Sequence, residues 1–324
     1  MSQWLRSQDC SAEAASESLG LPITDLHIIQ RNQYCAIYRG VLADGDLCIV
    51  KTYFGSDPEL ARIETQAADF YREVAGGLPE VHPGGTLAFV PEANILALRF
   101  VPGTCFTDAV YAAVRRPAER PRILTAAHRL GEILRQLHDA SQTQAAIDPF
   151  MGEYASHASG RLERLPWPLR RLFAGCEANA MALWAAWQAD EPVVSFCHGD
   201  CTFRNLHLDG GTIGLIDFAN ARWNSHILND CYNFRLAAQN MFLPHSFRDD
   251  ILTALVAGMG DVRFPGSTHH FFHEYHRRRW LMLKLTARHP WAWFQACRAL
   301  ATFARPYHPE RIGPFRSLLD PQTI

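Results

Sequence analysis

Between Pro192 and Phe218 the sequence lays out a strand, a loop and a tight hairpin in one continuous run, and that run constrains the fold more than any other segment. Pro192 to Cys197 is a short apolar, β-branched stretch that delivers His198-Gly199-Asp200 to the end of a strand. Leu206-His207-Leu208 alternates as a strand should, Asp209-Gly210-Gly211 marks a tight turn, and Ile213 to Ile216 is the returning strand. An Asn stands five residues after Asp200, and a second Asp twelve residues beyond Asn205. The hairpin returns Asp217 beside Asn205, so two oxygen ligands converge on one cation while Asp200 stays on the preceding loop. Either triplet alone, His198-Gly199-Asp200 or Ile216-Asp217-Phe218, reads as a turn or a buried strand end. Their joint spacing through a hairpin makes them one site.

Transfer of a γ-phosphoryl group needs a carboxylate to orient the attacking hydroxyl and oxygen ligands to hold Mg²⁺ on the phosphates. These three residues can supply both. The run His198-Gly199-Asp200, then Asn205, then Ile216-Asp217-Phe218 resembles the signature of the aminoglycoside phosphotransferase and choline kinase-like enzymes, distant relatives of protein kinases. The resemblance implies that Asp200 is the catalytic base and that Asn205 and Asp217 are Mg²⁺ ligands. It further implies that Asp230, one residue later than the usual spacing, braces the catalytic loop together with His198. Ala219 stands where such enzymes commonly have Gly.

The resemblance extends upstream. Asp46 to Lys51 is an apolar strand ending in a Lys, and kinase-like folds place their phosphate-binding Lys on such a strand. A helix is expected to begin near Pro58, with Asp57 as its cap, and to end at Gly76-Gly77. Glu64 lies in its middle and is the expected partner of Lys51; the rival Glu73 lies close to the Gly-Gly end, where a helix frays. Ile95 to Gly103 is an apolar strand ending in Pro-Gly, which in the family forms the hinge and binds adenine through its backbone. By that alignment Arg99 offers a carbonyl and Val101 an amide, so ATP is the implied nucleotide. No Gly-rich motif covers the phosphates: the turn Gln30-Arg31-Asn32-Gln33-Tyr34 has no Gly, and phosphate contacts there would come from Arg31 or Asn32.

A chain of 324 residues, 48% hydrophobic and 20% charged, is globular and long enough for two lobes. The expected fold is α+β and two-lobed like that of protein kinases, with a small β-rich N-lobe and a larger helical C-lobe. Residues 1–20 read as a leader or one capping helix, 21–101 as the nucleotide-binding lobe, and 102–324 as the lobe with the catalytic loop and acceptor-binding helices. In the second lobe, helices are expected over Leu169 to Gln188, Tyr232 to Met241, Arg248 to Met259 and His270 to Arg288. The start of the chain shows no basic-then-apolar leader, and no apolar run approaches membrane-spanning length, so a cytoplasmic protein without nucleic-acid partners is expected. Nine scattered Cys fit reduced thiols, and Cys197, His198 and Cys201 lack a fourth ligand for zinc.

Charge narrows the acceptor. From Val262 to the end, ten basic residues stand against three acids, a balance of +7 in a chain of formal net charge −2. A pocket for polycationic aminoglycosides would be lined with carboxylates. The opposite balance implies a small-molecule or glycolipid hydroxyl acceptor that is sugar-like and anionic, held by one or more of Arg277, Arg278 and Arg279. Trp291 and Trp293, after Pro290, are candidates to stack on a sugar ring. Two further readings are an antibiotic phosphotransferase and, from another class, a pseudokinase binding module. A protein kinase is disfavoured because its own loop motifs are absent, and the presence of Lys51, Asp200, Asn205 and Asp217 together argues for catalysis.

Overall fold

The computed structural model describes residues 10–32, 34–55, 58–143, 167, 182–188, 193–285, 307–309 and 312–321, and the side chains of 278–285 lie outside the description. The class is α+β, a β-sheet N-terminal region followed by a largely helical one. By contacts the chain divides into two compact units: residues 1–109 with 198–200 and 204–221, and residues 110–197 with 201–203 and 222–324. The segment of the sequence that carries Asn205 and Asp217 thus groups with the N-terminal sheet, although the composition pattern changes near Pro102. Among the described residues no helix is long and apolar enough to cross a membrane.

The first unit is built on an antiparallel sheet ordered β1-β2-β3-β5-β4, with β1 Ile23–Arg31, β2 Cys35–Leu42, β3 Leu47–Tyr53, β4 Thr86–Val90 and β5 Ile95–Arg99. Strand residues alternate between faces. On one face Ala36, Tyr38, Cys48, Val50, Ile95 and Ala97 form a core with Ala15 and Leu19 of α1 (Ala12–Leu19). Residues 12–19 are therefore a capping helix. On the other face Cys35, Tyr53 and Leu96 pack with Ala61 of α2 (Glu59–Ala75). The sequence expectation for α2 needs one correction at its start: Pro58 occupies the cap position, outside the first turn, with no side-chain cap. Asp57, the expected cap, lies outside the described residues.

A second, three-stranded sheet of this unit joins β6 (Thr104–Cys105) to the hairpin β8 (Leu206–Asp209) and β9 (Thr212–Leu215). Gly103 makes that contact possible. Its φ of +105° suits glycine, and a Cβ there would stand 2.2 Å from the Leu208 carbonyl oxygen. A side chain on Gly214 would likewise strike Val101 Cγ1 at 2.6 Å. Residues 101–105 are thus packed directly onto the hairpin.

The second unit pairs β7 (Ser195–Cys197) with β10 (Arg222–Ser225) beside a set of helices. After α3 (Phe106–Arg115), α4 (Arg120–Ser141) buries Ile123, Ala126, Ala127, Leu130, Ile133, Leu134 and Leu137 on one face. The later helices begin earlier than their apolar periodicity implied. They run Ile227–Asn240, His245–Met259 and Gly266–Leu285; buried polar residues, Asn229 and Asp230 in the first and Thr268 and His269 in the third, extend the packed faces, and in the second the buried Phe247 does so. Of the helix expected over Leu169 to Gln188, residues 182–188 are helical and the rest lies outside the described residues. The seven cysteines among the described residues are free thiols.

Backbone contact between α4 and His245–Met259 depends on two glycines. A Cβ on Gly131 would stand 2.1 Å from the Leu255 oxygen, and one on Gly258 would stand 1.9 Å from the His128 oxygen. A methyl group at Gly131 must push the helices apart. We expect Gly131→Ala to lower the thermal unfolding midpoint by about 5 °C or more, as overpacking costing a few kcal/mol requires. Gly77→Ala, where nothing lies within 4 Å, should leave it unchanged.

Candidate active site

Lys51 lies on β3 with its face toward α2 and is 5% exposed. Its ammonium donates to Glu64 Oε1 at 2.6 Å and to Asp217 Oδ1 at 2.8 Å. Glu64 is fully buried on α2, and the Tyr53 hydroxyl donates to its other oxygen. Burial works to deprotonate Lys51, but Glu64 and Asp217 outweigh it and hold its pKa above the ordinary 10.5. Burial and then the Glu64 charge push the Tyr53 hydroxyl well above the usual phenol range, so it remains a donor. The rival Glu73 is exposed.

Asp217 sits at the end of the hairpin with φ 65° and ψ 66°, an uncommon conformation for a non-glycine residue. Burial alone would raise its pKa, and Lys51 reverses this, holding the carboxyl below its ordinary 3.8. Phe218–Asn220 then forms a 3-10 turn, and Ala219 is not among the positive-φ residues. The turn therefore has no need of glycine at Ala219. Glycine is needed at Gly199 instead, where φ is +77° and a Cβ would stand 1.9 Å from the Asn220 oxygen.

Asn205 is tied to both loops. Its amide nitrogen donates to the Asp200 carbonyl oxygen at 2.9 Å and to Asp200 Oδ2 at 3.0 Å, while Ile216 N donates to its backbone oxygen at 3.0 Å. The side-chain oxygen of Asn205 and Oδ2 of Asp217 receive no hydrogen bond among the described residues. Carboxylate and amide oxygens are the hard donors that Mg²⁺ or Ca²⁺ takes, the remaining positions going to water or phosphate. This donor set fits such an ion.

His198 is fully buried and clamps the two loops together. Its Nδ1 accepts from the Asp200 amide at 3.3 Å, so Nε2 carries the proton and donates to the Ile216 oxygen at 2.9 Å. Burial depresses its pKa and keeps the ring neutral despite nearby carboxylates. The ring packs on Phe218 at 4.6 Å.

The remaining candidates are placed as follows. Arg99 ends β5 and its amide donates to the Gly85 oxygen at 2.9 Å; Val101 is buried next to Gly214. Asn32 Oδ1 accepts from the amides of Tyr34 and Cys35, so its carbonyl builds the turn, and Arg31 lies over the Phe54 ring at 5.2 Å. Asp230 is 1% exposed in the second unit, near Cys197, whose thiol is pushed up to about 12 by burial first and Asp230 second. Arg277 is ion-paired to Glu274 at 2.8 Å, both side chains being largely buried. The side chains of Arg278 and Arg279, and Trp291 and Trp293 entirely, lie outside the described residues.

Sequence reasoning missed Tyr53 and Tyr71. Tyr53 is two residues after Lys51 and shares its strand face, so a period of two contained the signal. Tyr71 is seven residues after Glu64 on α2; its hydroxyl donates to the His82 oxygen at 3.1 Å and accepts from the Leu215 amide at 3.3 Å, fixing α2 to the hairpin.

Residues 38–232, more than half of the chain, match the family model of the phosphotransferase enzyme family. Among solved structures the chain is similar to an amicoumacin kinase in complex with AMP-PNP, Ca²⁺ and its ligand Ami, at 13% identity and TM-score 0.62 over 94% of this chain and 96% of that one. It is similar to a choline/ethanolamine kinase family protein from Mesorhizobium loti, at 16% identity and TM-score 0.59 over 94% and 98%. A third is an aminoglycoside phosphotransferase in a ternary complex with ADP and hygromycin B, at 13% identity and TM-score 0.57 over 95% and 99%. At such identities the likeness is one of fold. No curated protein matches the chain in sequence.

Glu64→Gln should lower turnover on the order of tenfold or more by releasing Lys51, while Glu73→Gln leaves it within about twofold. Steady-state kinetics giving the reverse ranking would reject Glu64 as the Lys51 partner. The pH dependence follows from the two shifts. A depressed Asp217 contributes stability that is present above 3.8 and lost as pH falls through its folded value. A raised Lys51 contributes stability that is present below 10.5 and lost as pH rises through its folded value. The difference in unfolding midpoint between the wild type and Asp217→Asn should be level from about pH 5 to about pH 10 and shrink below about pH 4. A difference that titrates near neutrality would contradict this.

Proposed function

The chain belongs to the phosphotransferase enzyme family, and on that premise we propose that Lys51, Glu64, Asp200, Asn205 and Asp217 carry the transfer of the γ-phosphoryl of Mg-ATP to a hydroxyl of a small, sugar-like, anionic acceptor. The chain is an ATP-dependent phosphotransferase acting on an alcohol group. The observation that carries the residue assignment is the Lys51 ammonium held between Glu64 and Asp217.

Glu64 and Tyr53 fix the ammonium so that it meets the α- and β-phosphates without paying again for its ordering. Asn205 Nδ2 anchors Asp200 Oδ2, which leaves the carboxylate turned to one orientation for the acceptor hydroxyl. Asp200 aligns that hydroxyl and takes its proton late, as the new O–P bond forms and the bond to the leaving ADP oxygen breaks. Asn205 and Asp217 would hold Mg²⁺, which when bound neutralises charge on the transferred group. His198 keeps the two loops in register, Asp230 supports the strand that leads into His198, and the backbone of Arg99 and Val101 would bind adenine.

The acceptor reading rests on the +7 balance of residues 262–324 and names a phosphorylated sugar, an acidic glycolipid core or a carboxylated metabolite. The Arg277–Glu274 pair withdraws one charge from that argument. It favours, as the second reading, a neutral or cationic acceptor such as an aminoglycoside-type antibiotic.

The test is an acceptor screen with wild type, Asp200→Ala and Asp217→Ala. Asp200→Ala should lose transfer by about 10²–10⁴-fold while Mg-nucleotide affinity stays close to wild type, and Asp217→Ala should weaken the nucleotide as well. Acidic sugars or glycolipid fragments should be turned over in preference to polycationic aminoglycosides. Equal nucleotide affinity in all three proteins, measured by calorimetry, would reject the division of roles, and preference for aminoglycosides would reject the anionic acceptor.

A further inference from the structure

The face of the sheet that carries Lys51 holds a second cation, Arg39, to which the roles above give no task. Residues directly opposite in an antiparallel pair project to the same face. Lys51 stands between Ile37 and Leu96, and two residues along each strand Ile49 stands between Arg39 and Leu98. Arg39, Ile49 and Leu98 therefore form a row across the sheet, on the Lys51 face. The next row contains Val41 and Leu47, and Phe100 joins it through the hydrogen bond its amide donates to the Leu47 oxygen at 3.3 Å. Rows two residues apart are separated by about 6.6 Å. The Arg39 row thus lies between Lys51 and the hinge that begins at Arg99.

Burial separates the two faces. Under α1, Tyr38 is 3% exposed and Cys48, Val50 and Ala97 are fully buried, whereas Val41, Leu47, Ile49 and Leu98 remain half-buried. These four make an aliphatic platform in the two rows beyond Lys51. Arg39 rises at its edge, exposed, with no ion pair or hydrogen bond to its side chain among the described residues. Its cross-strand neighbour His27 is instead paired with Asp25 at 2.8 Å. An unpaired guanidinium beside an aliphatic platform suits a flat, electron-rich ring better than a carboxylate, because a planar cation stacks on such a ring and is only weakly hydrated.

We propose that Arg39 is a base-contacting residue whose guanidinium stacks on the purine of the bound nucleotide from the sheet side, beside Ile49. The proposal rests on the reading of Lys51 and the hinge as the nucleotide site. A nucleotide extending from Arg99–Val101 to Lys51 passes its base across the Arg39 row, whereas the phosphates lie one row away at Lys51. Arg39 therefore discriminates by ring stacking, and the phosphates are the task of Lys51.

Calorimetric titration of ATP and of inorganic tripolyphosphate, each with Mg²⁺, into wild type, Arg39→Met, Arg39→Lys and Lys51→Met tests this. Wild type should bind both, and Lys51→Met should lose both; failure there would sink the nucleotide-site reading itself, whatever Arg39 does. Given that control, Arg39→Met and Arg39→Lys should each weaken ATP by about 3- to 30-fold, the range of a stacked cation, and leave tripolyphosphate within about twofold. Equal losses for ATP and tripolyphosphate, or full ATP affinity in Arg39→Lys, would mean that the charge alone matters and would overturn the stacking assignment. So would unchanged ATP affinity in Arg39→Met. Arg39 is exposed, and matching unfolding midpoints will verify that the variants are folded.

Discussion

An ammonium and a carboxylate, both almost entirely withdrawn from water, are the contact on which the first unit depends. A single buried charge costs several kcal/mol when it stands alone, and removing one partner of a buried pair typically costs about 3–5 kcal/mol. Lys51 on β3 and Glu64 on α2 are buried enough for that penalty to apply. Neither element can move away from the other without exposing an uncompensated charge in an apolar setting. Tyr53 satisfies the remaining carboxylate oxygen, so the pair is not left half-bonded. The third partner, Asp217, extends the same constraint to a segment 166 residues away in sequence.

That reach explains why the hairpin belongs with the sheet. Residues 101–105 and the hairpin approach each other at backbone distance through Gly103 and Gly214, where any side chain would collide with Leu208 or Val101. Tyr71 on α2 bonds to Leu215, and its ring packs on Phe218 at 5.3 Å. Glu64 and Tyr71 are two turns apart on one helix, so α2 holds the lysine and the hairpin at once. The geometry of Lys51, Glu64 and Asp217 is set by the same contacts that close the core of the unit.

Around the hairpin, two neutral side chains tie the loops together. His198 is kept neutral by burial and spends both ring nitrogens on backbone partners in the two loops. Asn205 commits its amide hydrogens to Asp200, which turns its oxygen away as a donor atom. The strained backbone of Asp217 persists because the Lys51 bond and the flanking strand over-determine it.

The sequence by itself determined the hairpin, the order Asp200, Asn205, Asp217, a strand carrying Lys51 and the choice of Glu64 over Glu73; the strand expected to end at Lys51 continues to Tyr53. Each of these is a matter of spacing within one element or between neighbours: period two in strands, a Gly-Gly turn, and period 3.6 in α2, which puts Glu73, nine residues on, on the face opposite Glu64, whereas the fraying expected near Glu73 is not seen in a helix that runs to Ala75. Tertiary structure alone decided the rest. That Gly199 is required against Asn220, that Ala219 suffices where glycine was expected, and that Asn32 builds its own turn all depend on which backbone lies opposite, which no local pattern encodes. The burial of Arg277 against Glu274 was equally out of reach, since a summed charge counts a paired arginine the same as a free one. Arg39 shows the division most plainly. Its face is fixed only by cross-strand register, and register is settled when the whole sheet selects the pairing that buries its apolar side.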